Sequence, residues 1–222
     1  GARGGGGAAG GRPGAVLFDV SPMVGTASME SLEMVGALDP IWSLNEREAG
    51  ILAARLGLDR AEVSAVATFY SQFRRHPAGE YHVGVCTNAL CAVMGGDAVW
   101  RAVSEHTGLG NDETSEDGRI SLERVECNAA CDYAPVVMVN WEFFDNQTPA
   151  SAVELVSRLE RGEDVTPTRG PDTLPTFREN ERVLAGFEDG RADEGAGAGE
   201  SSLLGLRIAR ERGWTVPEEE GQ

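Results

Sequence analysis

The 222-residue chain carries 36 acidic and 19 basic residues, a formal net charge of -17, and 41% hydrophobic residues, enough to bury a core. That charge repels phosphate backbones and anionic membrane surfaces, so nucleic acid is not expected as a partner. Every basic residue is arginine, which removes the lysine of a P-loop, a Schiff-base lysine and a lysine general base.

In chain order, residues 1–27 are a glycine-rich stretch expected to be flexible. Gly5-Gly6-Gly7-Ala8-Ala9-Gly10 formally matches G-x-G-x-x-G, but no strand pattern precedes it, and it reads as linker. The stretch lacks a charged segment leading into an apolar one, so no secretory signal is expected there. No run of about 18 apolar residues occurs, and no membrane span is predicted.

Residues 28–78 are predicted as a helical domain. Ser43 with Glu46, and Asp59 with Glu62, have the spacing of helix N-caps whose following acid reaches back to the cap amide. Ala49, Leu52, Ala53 and Leu56 share one face before Gly57 stops the first helix; Val63, Val66, Ala67 and Tyr70 share one face of the second. Phe69 and Phe73 widen that second stripe, which is expected to pack the pair against its neighbouring domain, a partner-binding face being the alternative.

Residues 79–163 read as β-α-β-β-β-α. The strands are Tyr81 to Val85 ending at Cys86, Ile120 to Glu126, Pro135 to Asn140 and Trp141 to Phe144; the helices are Ala92 to His106 and Ala150 to Arg161. A small mixed sheet with helices packed on it satisfies this order. Residues 164–222 contain Pro167, Pro171 and Pro175 and an acidic glycine-rich segment from Glu188 to Glu200, with one helix candidate from Ser201 to Arg212. Together they read as a flexible acidic tail, partly disordered or ordered on a partner. The fold class is therefore α+β, a helical segment followed by an α/β domain and a tail.

The four cysteines fall as Cys86-x4-Cys91 and Cys127-x3-Cys131, with 35 residues between the pairs, each pair where a strand ends. They are expected to stay reduced and to bind a metal rather than form disulfides. The spacing cannot put Cys86 and Cys91 on one helix face, so Cys86 is expected in the loop and Cys91 near the helix start. The small residues between the ligands let backbone amides point at sulfur, which stabilises its negative charge. Zinc favours tighter C-x2-C knuckles, and thioredoxin-type redox chemistry needs a C-x-x-C that is absent. Four thiolates as two pairs suit a 2Fe-2S cluster, one pair on each iron, and no histidine pair is placed for a Rieske centre.

VCTNALCAVMGGD at 85–97, VECNAACDYAPVVMVN at 125–140 and WEFFDNQTP at 141–149 resemble the thioredoxin-like 2Fe-2S subunit of NADH:quinone oxidoreductase, respiratory complex I. LGLDRAEVSAVATFYSQFRRHPAGEY at 56–81 resembles that family's helical lead-in. The resemblance implies a thioredoxin-like 2Fe-2S ferredoxin domain with Cys86, Cys91, Cys127 and Cys131 as ligands of one cluster, and no catalytic residue. It implies an enzyme subunit with no NADH or flavin site of its own: NADH and FMN belong to a neighbouring subunit, whose reduced flavin gives the cluster single electrons. Implied partners are that flavin- and NADH-binding subunit and other peripheral-arm subunits, at the cytoplasmic side of the membrane without insertion. Related subunits serve NAD-linked formate dehydrogenases and NAD-reducing hydrogenases, and a free-standing ferredoxin is a further alternative. Glu126 and Asp132 flank a ligand pair, and acids outnumber arginines ten to three over 101–145. Such charge penalises the reduced cluster, which implies a potential of about -400 mV or somewhat above; if the acids are simply a solvated surface, their effect is slight.

Overall fold

A computed structural model describes residues 46–70, 73–184, 187–191 and 194–215. The glycine-rich opening, the first part of the helical stretch and the Ser43 cap lie outside the described residues.

Helices α1 (Glu46–Leu56) and α2 (Arg60–Phe69) form the pair that the sequence pattern predicts. Gly57 stops α1 with a left-handed φ of 68°, a conformation open to glycine at no steric cost. Asp59 then starts α2: its carboxylate accepts from the Ala61 amide at 2.7 Å, and Glu62 accepts from the Asp59 amide at 2.7 Å, completing a capping box. The two helices meet through Ala49, Ala53, Val63 and Ala67, with Leu52, Leu58 and Phe73 packed at the edge. Phe69 does not join them and is 78% exposed. Two residues past Ala67 amount to about 200° of helical rotation, which carries Phe69 to the opposite face.

The sheet has the order β2-β3-β1-β4-β5, from β1 (Tyr81–Cys86), β2 (Glu113–Thr114), β3 (Ile120–Val125), β4 (Val137–Val139) and β5 (Glu142–Phe144). β1 and β3 run parallel, with Tyr81 opposite Ile120 and Cys86 opposite Val125; the other pairings are antiparallel. A parallel pair needs a crossover, and here it is helical. The segment expected to be one helix over 92–106 is two, α3 (Ala89–Val93) and α4 (Gly96–Thr107). Gly95, at φ 112°, turns the chain between them. β4 and β5 form a hairpin whose two turn residues, Asn140 and Trp141, both have positive φ, as a right-twisted two-residue turn requires.

α4 and α5 (Pro149–Glu160) lie together on one face of the sheet. There Val83, Val85, Ile120, Leu122, Val137 and Val139 meet Val99, Val103, Val156 and Leu159 in the main core. The opposite face carries a second cluster of Cys86, Cys91, Ala130, Ala134, Val136 and Met138, edged by Val125, Trp141 and Phe143. Beyond Glu160 the chain returns to the domain at a few positions. Val165 and Phe177 are buried, and the Phe177 amide donates to the Glu80 carbonyl at 2.8 Å. Two helices follow, α6 (Phe177–Leu184) and α7 (Glu200–Glu211).

Arg74 joins the helical lead-in to the sheet. It is buried, and its Nη2 stands 2.5 Å from both Glu123 Oε2 on β3 and His82 Nε2 on β1. Nη1 reaches Asp112 at 3.4 Å. Burial alone would raise the Glu123 carboxyl, but hydrogen bonds from His82 and Arg74, with the arginine charge, bring it down to about 2. Burial lowers His82 below its ordinary value. Both groups bind fewer protons folded than unfolded, so their contributions are lost as the pH falls. The His82 contribution fades below its ordinary value of 6.5, and the Glu123 contribution fades from 4.5 toward about 2. The thermal midpoint is therefore expected to drop steadily from about pH 7 to about pH 3, and Glu123→Gln to flatten the lower half of that slope in a calorimetric pH series. An unchanged slope in the variant would remove Glu123 from this role.

Candidate metal centre

The alternation of β1 directs Val83 and Val85 into the main core and leaves Cys86, its last residue, in the cluster on the opposite face. Cys86 is thus the end of a strand rather than part of the loop, because its amide still donates to the Val136 carbonyl at 3.1 Å and keeps the ladder going. Asn88 then caps α3, its side chain accepting from the Ala89 amide at 2.8 Å, and Cys91 lies in that single short turn. Both Cys86 and Cys91 are 3% exposed.

Gly96 allows this loop to close. A β-carbon there would stand 2.6 Å from the Cys86 carbonyl oxygen and 2.9 Å from that of Cys91, so only glycine lets α4 start directly beneath both ligands. The second pair follows β3. Ala129 turns the chain with a φ of 56°, and Cys131 opens a 3-10 turn, Cys131–Tyr133. Cys127 is exposed and Cys131 half-buried, with their Sγ atoms 3.4 Å apart. Asn88 Nδ2 donates to Glu126 at 2.7 Å, tying the first ligand loop to the second.

All four cysteines are free thiols. Burial pushes the Cys91 thiol up to about 11; a hydrogen bond from the Val136 backbone opposes this, while the neighbouring Cys86 and the charge of Cys131 add to it. Cys131 is raised by its contact with Cys127 and then by burial, with further contributions from the charges of Cys127, Cys86 and Asp132. Each pair therefore feels the other. Four thiolates in such a place repel one another, and a cationic core between them reverses the balance and deprotonates them.

The donor set fits an iron-sulfur core. As the side chains stand, the thiols make two pairs, and among the described residues no three metal-ligating side chains converge on a single ion. Two pairs are what a binuclear centre takes, one pair per metal. The 3.4 Å between Cys127 and Cys131 is near the edge of about 3.7 Å that a tetrahedral site with metal–sulfur bonds of about 2.3 Å requires. Asn128, between those ligands, has a buried Nδ2 with no acceptor, as does Trp141 Nε1 beside the apolar cluster. Donors without partners next to sulfur ligands suit bound sulfide and thiolate.

A comparison with known families matches residues 26–160 to the thioredoxin-like 2Fe-2S ferredoxin family. This chain belongs to that family. Among curated relatives of this ferredoxin, the E-type subunit of NADH-quinone oxidoreductase from Mycobacterium tuberculosis is 59% identical over 166 residues, covering 74% of this chain and 66% of the relative. The chain thus spans slightly less than two thirds of that relative's length. The corresponding NADH-quinone oxidoreductase subunit of Rickettsia bellii is 30% identical over 132 residues, 55% of this chain and 79% of its own. A crystal structure of the thioredoxin-like 2Fe-2S ferredoxin from Aquifex aeolicus is matched at 25% identity over 41% of this chain and 93% of that one, with a TM-score of 0.31.

Cys86 ends β1 with Cys91 just after it in α3, and Cys127 and Cys131 follow β3, the parallel neighbour, so both thiol pairs lie beyond the same edge of the sheet. Glu126 and Asp132 are exposed, and each accepts a hydrogen bond, from Asn88 and Ser202 respectively. Asn88 and Gly96 were not singled out from the sequence. An asparagine before a short helix and a Gly-Gly pair between two helical segments are the signals that point to them. Gly96→Val is expected to destabilise the domain by about 1–3 kcal/mol in denaturant unfolding and to lower its metal content. Wild-type stability and metal content in that variant would show that the loop has room which the geometry denies.

Proposed function

We propose that this ferredoxin is the electron-transfer subunit of an NADH:quinone oxidoreductase, with one 2Fe-2S cluster held by Cys86 and Cys91 on one iron and by Cys127 and Cys131 on the other. The observation that carries this reading is the meeting of two thiol pairs at one end of a parallel strand pair, in a chain of the 2Fe-2S family. When bound, the cluster supplies one-electron redox chemistry. The chain's own residues do the rest. Cys86 and Cys91 are buried among Ala130, Ala134, Val136 and Met138, which keep water from that side of the core. The Val136 backbone hydrogen-bonds to the Cys91 sulfur and offsets part of the negative charge there.

The partner in this reading is a flavin- and NADH-binding subunit, since FMN and NADH are not assigned to this chain. Leu90, Val93 and Met94, beside Cys91, are 45%, 83% and 57% exposed, and they give such a partner an apolar surface next to the ligands. Among the described residues no helix is long and apolar enough to cross a membrane, and we place the subunit on the cytoplasmic side, held by other peripheral-arm subunits.

Anaerobically purified protein is expected to contain about two irons and no stoichiometric zinc, and to show a rhombic low-temperature EPR signal only after dithionite reduction. Cys127→Ser is expected to lose that signal. Stoichiometric zinc in EPR-silent native protein would overturn the electron-transfer reading, and a wild-type spectrum in Cys127→Ser would remove Cys127 from the ligand set. Co-purification with a flavoprotein separates the subunit from a free-standing carrier.

A further inference from the structure

The loop that carries Cys127 and Cys131 is met from outside by chain that lies far away in sequence. Arg169 is at the centre of this contact. Its side chain is 12% exposed and stands against Asp145, 7% exposed, with Nε 3.0 Å from Oδ2 and Nη2 donating to Oδ1 at 3.3 Å. The guanidinium carbon lies 3.9 Å from the ring centre of Phe143 and 5.0 Å from that of Tyr133, in the 3-10 turn that Cys131 opens. Nη1 donates to the Gly197 carbonyl at 3.0 Å. One cation thus joins β5, the ligand turn and the chain leading into α7.

That chain continues along the ligand loop. The Gly170 amide donates to the Ala196 carbonyl at 3.2 Å, and Gly195 packs directly on the Gly170 backbone. Gly199 lies so close to the Tyr133 hydroxyl that a β-carbon there would collide with it. Ser202, in the first turn of α7, donates to Asp132, the residue after Cys131. The ligand loop has few bonds of its own: Tyr133 to Ala130 at 3.0 Å, Ala134 to Cys131 at 3.3 Å, and Asn146 to the Tyr133 carbonyl at 2.8 Å.

We propose that residues 194–202, keyed by Arg169, are a strap that holds the Cys127–Tyr133 loop closed, with Arg169 and Gly199 as positioning residues for the second thiol pair. Arginine suits the task because its planar fork pairs with a carboxylate while its faces stack on aromatic rings. The consequence for the cluster, protection of its more exposed ligand pair from water and oxidant, rests on the proposed 2Fe-2S reading; the closure of the loop does not.

Gly199 allows a narrow test, since its backbone is extended at φ -96° and ψ -174° and accepts alanine without strain. In the full chain, Gly199→Ala is expected to speed amide hydrogen exchange over residues 127–134 about tenfold, leaving the β1 and β3 amides unchanged. Loss of the visible iron-sulfur absorption to a chelator is expected to accelerate by a similar factor. Tyr133→Phe removes the colliding hydroxyl, and in combination with Gly199→Ala it is expected to restore most of both rates, which a loss of general stability would not do. Arg169→Gln is expected to reproduce the opening, with Arg169→Lys intermediate. Exchange in Gly199→Ala within about twofold of wild type, or no restoration by Tyr133→Phe, overturns the strap. If wild-type protein holds no iron-sulfur chromophore, the cluster reading fails while hydrogen exchange still decides the strap.

Discussion

The parallel pairing of β1 with β3 is the constraint on which the rest of this structure depends. Parallel neighbours end at the same edge of a sheet, so the register that sets Cys86 opposite Val125 brings the chain after each strand to one place. The obligatory crossover leaves that edge as α3 and carries Cys91 with it; the loop after β3 carries Cys127 and Cys131. Two thiol pairs separated by 35 residues of sequence are brought to the same edge of the sheet by its backbone pairing. Open α/β sheets generally bind ligands beyond the carboxyl ends of parallel strands.

The electrostatics of that edge follow from where the sheet's second face is closed. Cys86 and Cys91 lie in an apolar cluster, where ionised thiols are costly unless a positive core compensates them. The second pair lies nearer to water, with Asp132 beside it in a chain of net charge -17. One pair is thus shielded and the other is open to modulation by whatever covers it. The first is a matter of packing within the domain; the second is a matter of the chain after Thr168, which returns to the ligand turn through Arg169, Gly199 and Ser202.

At the opposite end of β1 a different kind of closure operates. Arg74, from the helical lead-in, is buried against Glu123 and His82, and Asn140 satisfies the backbone beside them by accepting from the His82 amide at 2.7 Å and donating to the Pro175 carbonyl at 2.8 Å. The thiol end and the anchoring end are therefore separated along one strand, so that the helical pair and the chain entering α6 are joined to the sheet without using the cysteine loops.

Local patterns in the sequence determined the capping box at Asp59, the stop at Gly57, the strands β1 and β3, the α5 helix and the spacing of the cysteines as two pairs, because each depends on residues within a turn or two of one another. The Gly95-Gly96 pair breaks the helix expected over 92–106, although the apolar period continues on either side of it. What only the tertiary structure decided is which distant segments meet: Arg74 with Glu123, Phe69 left facing solvent, Gly96 beneath two ligand carbonyls, and Arg169 over the turn that Cys131 opens. Periodicity reports a residue's own face, whereas a buried ion pair or a close backbone approach is set by the packing of elements whose separation in sequence carries no local signal.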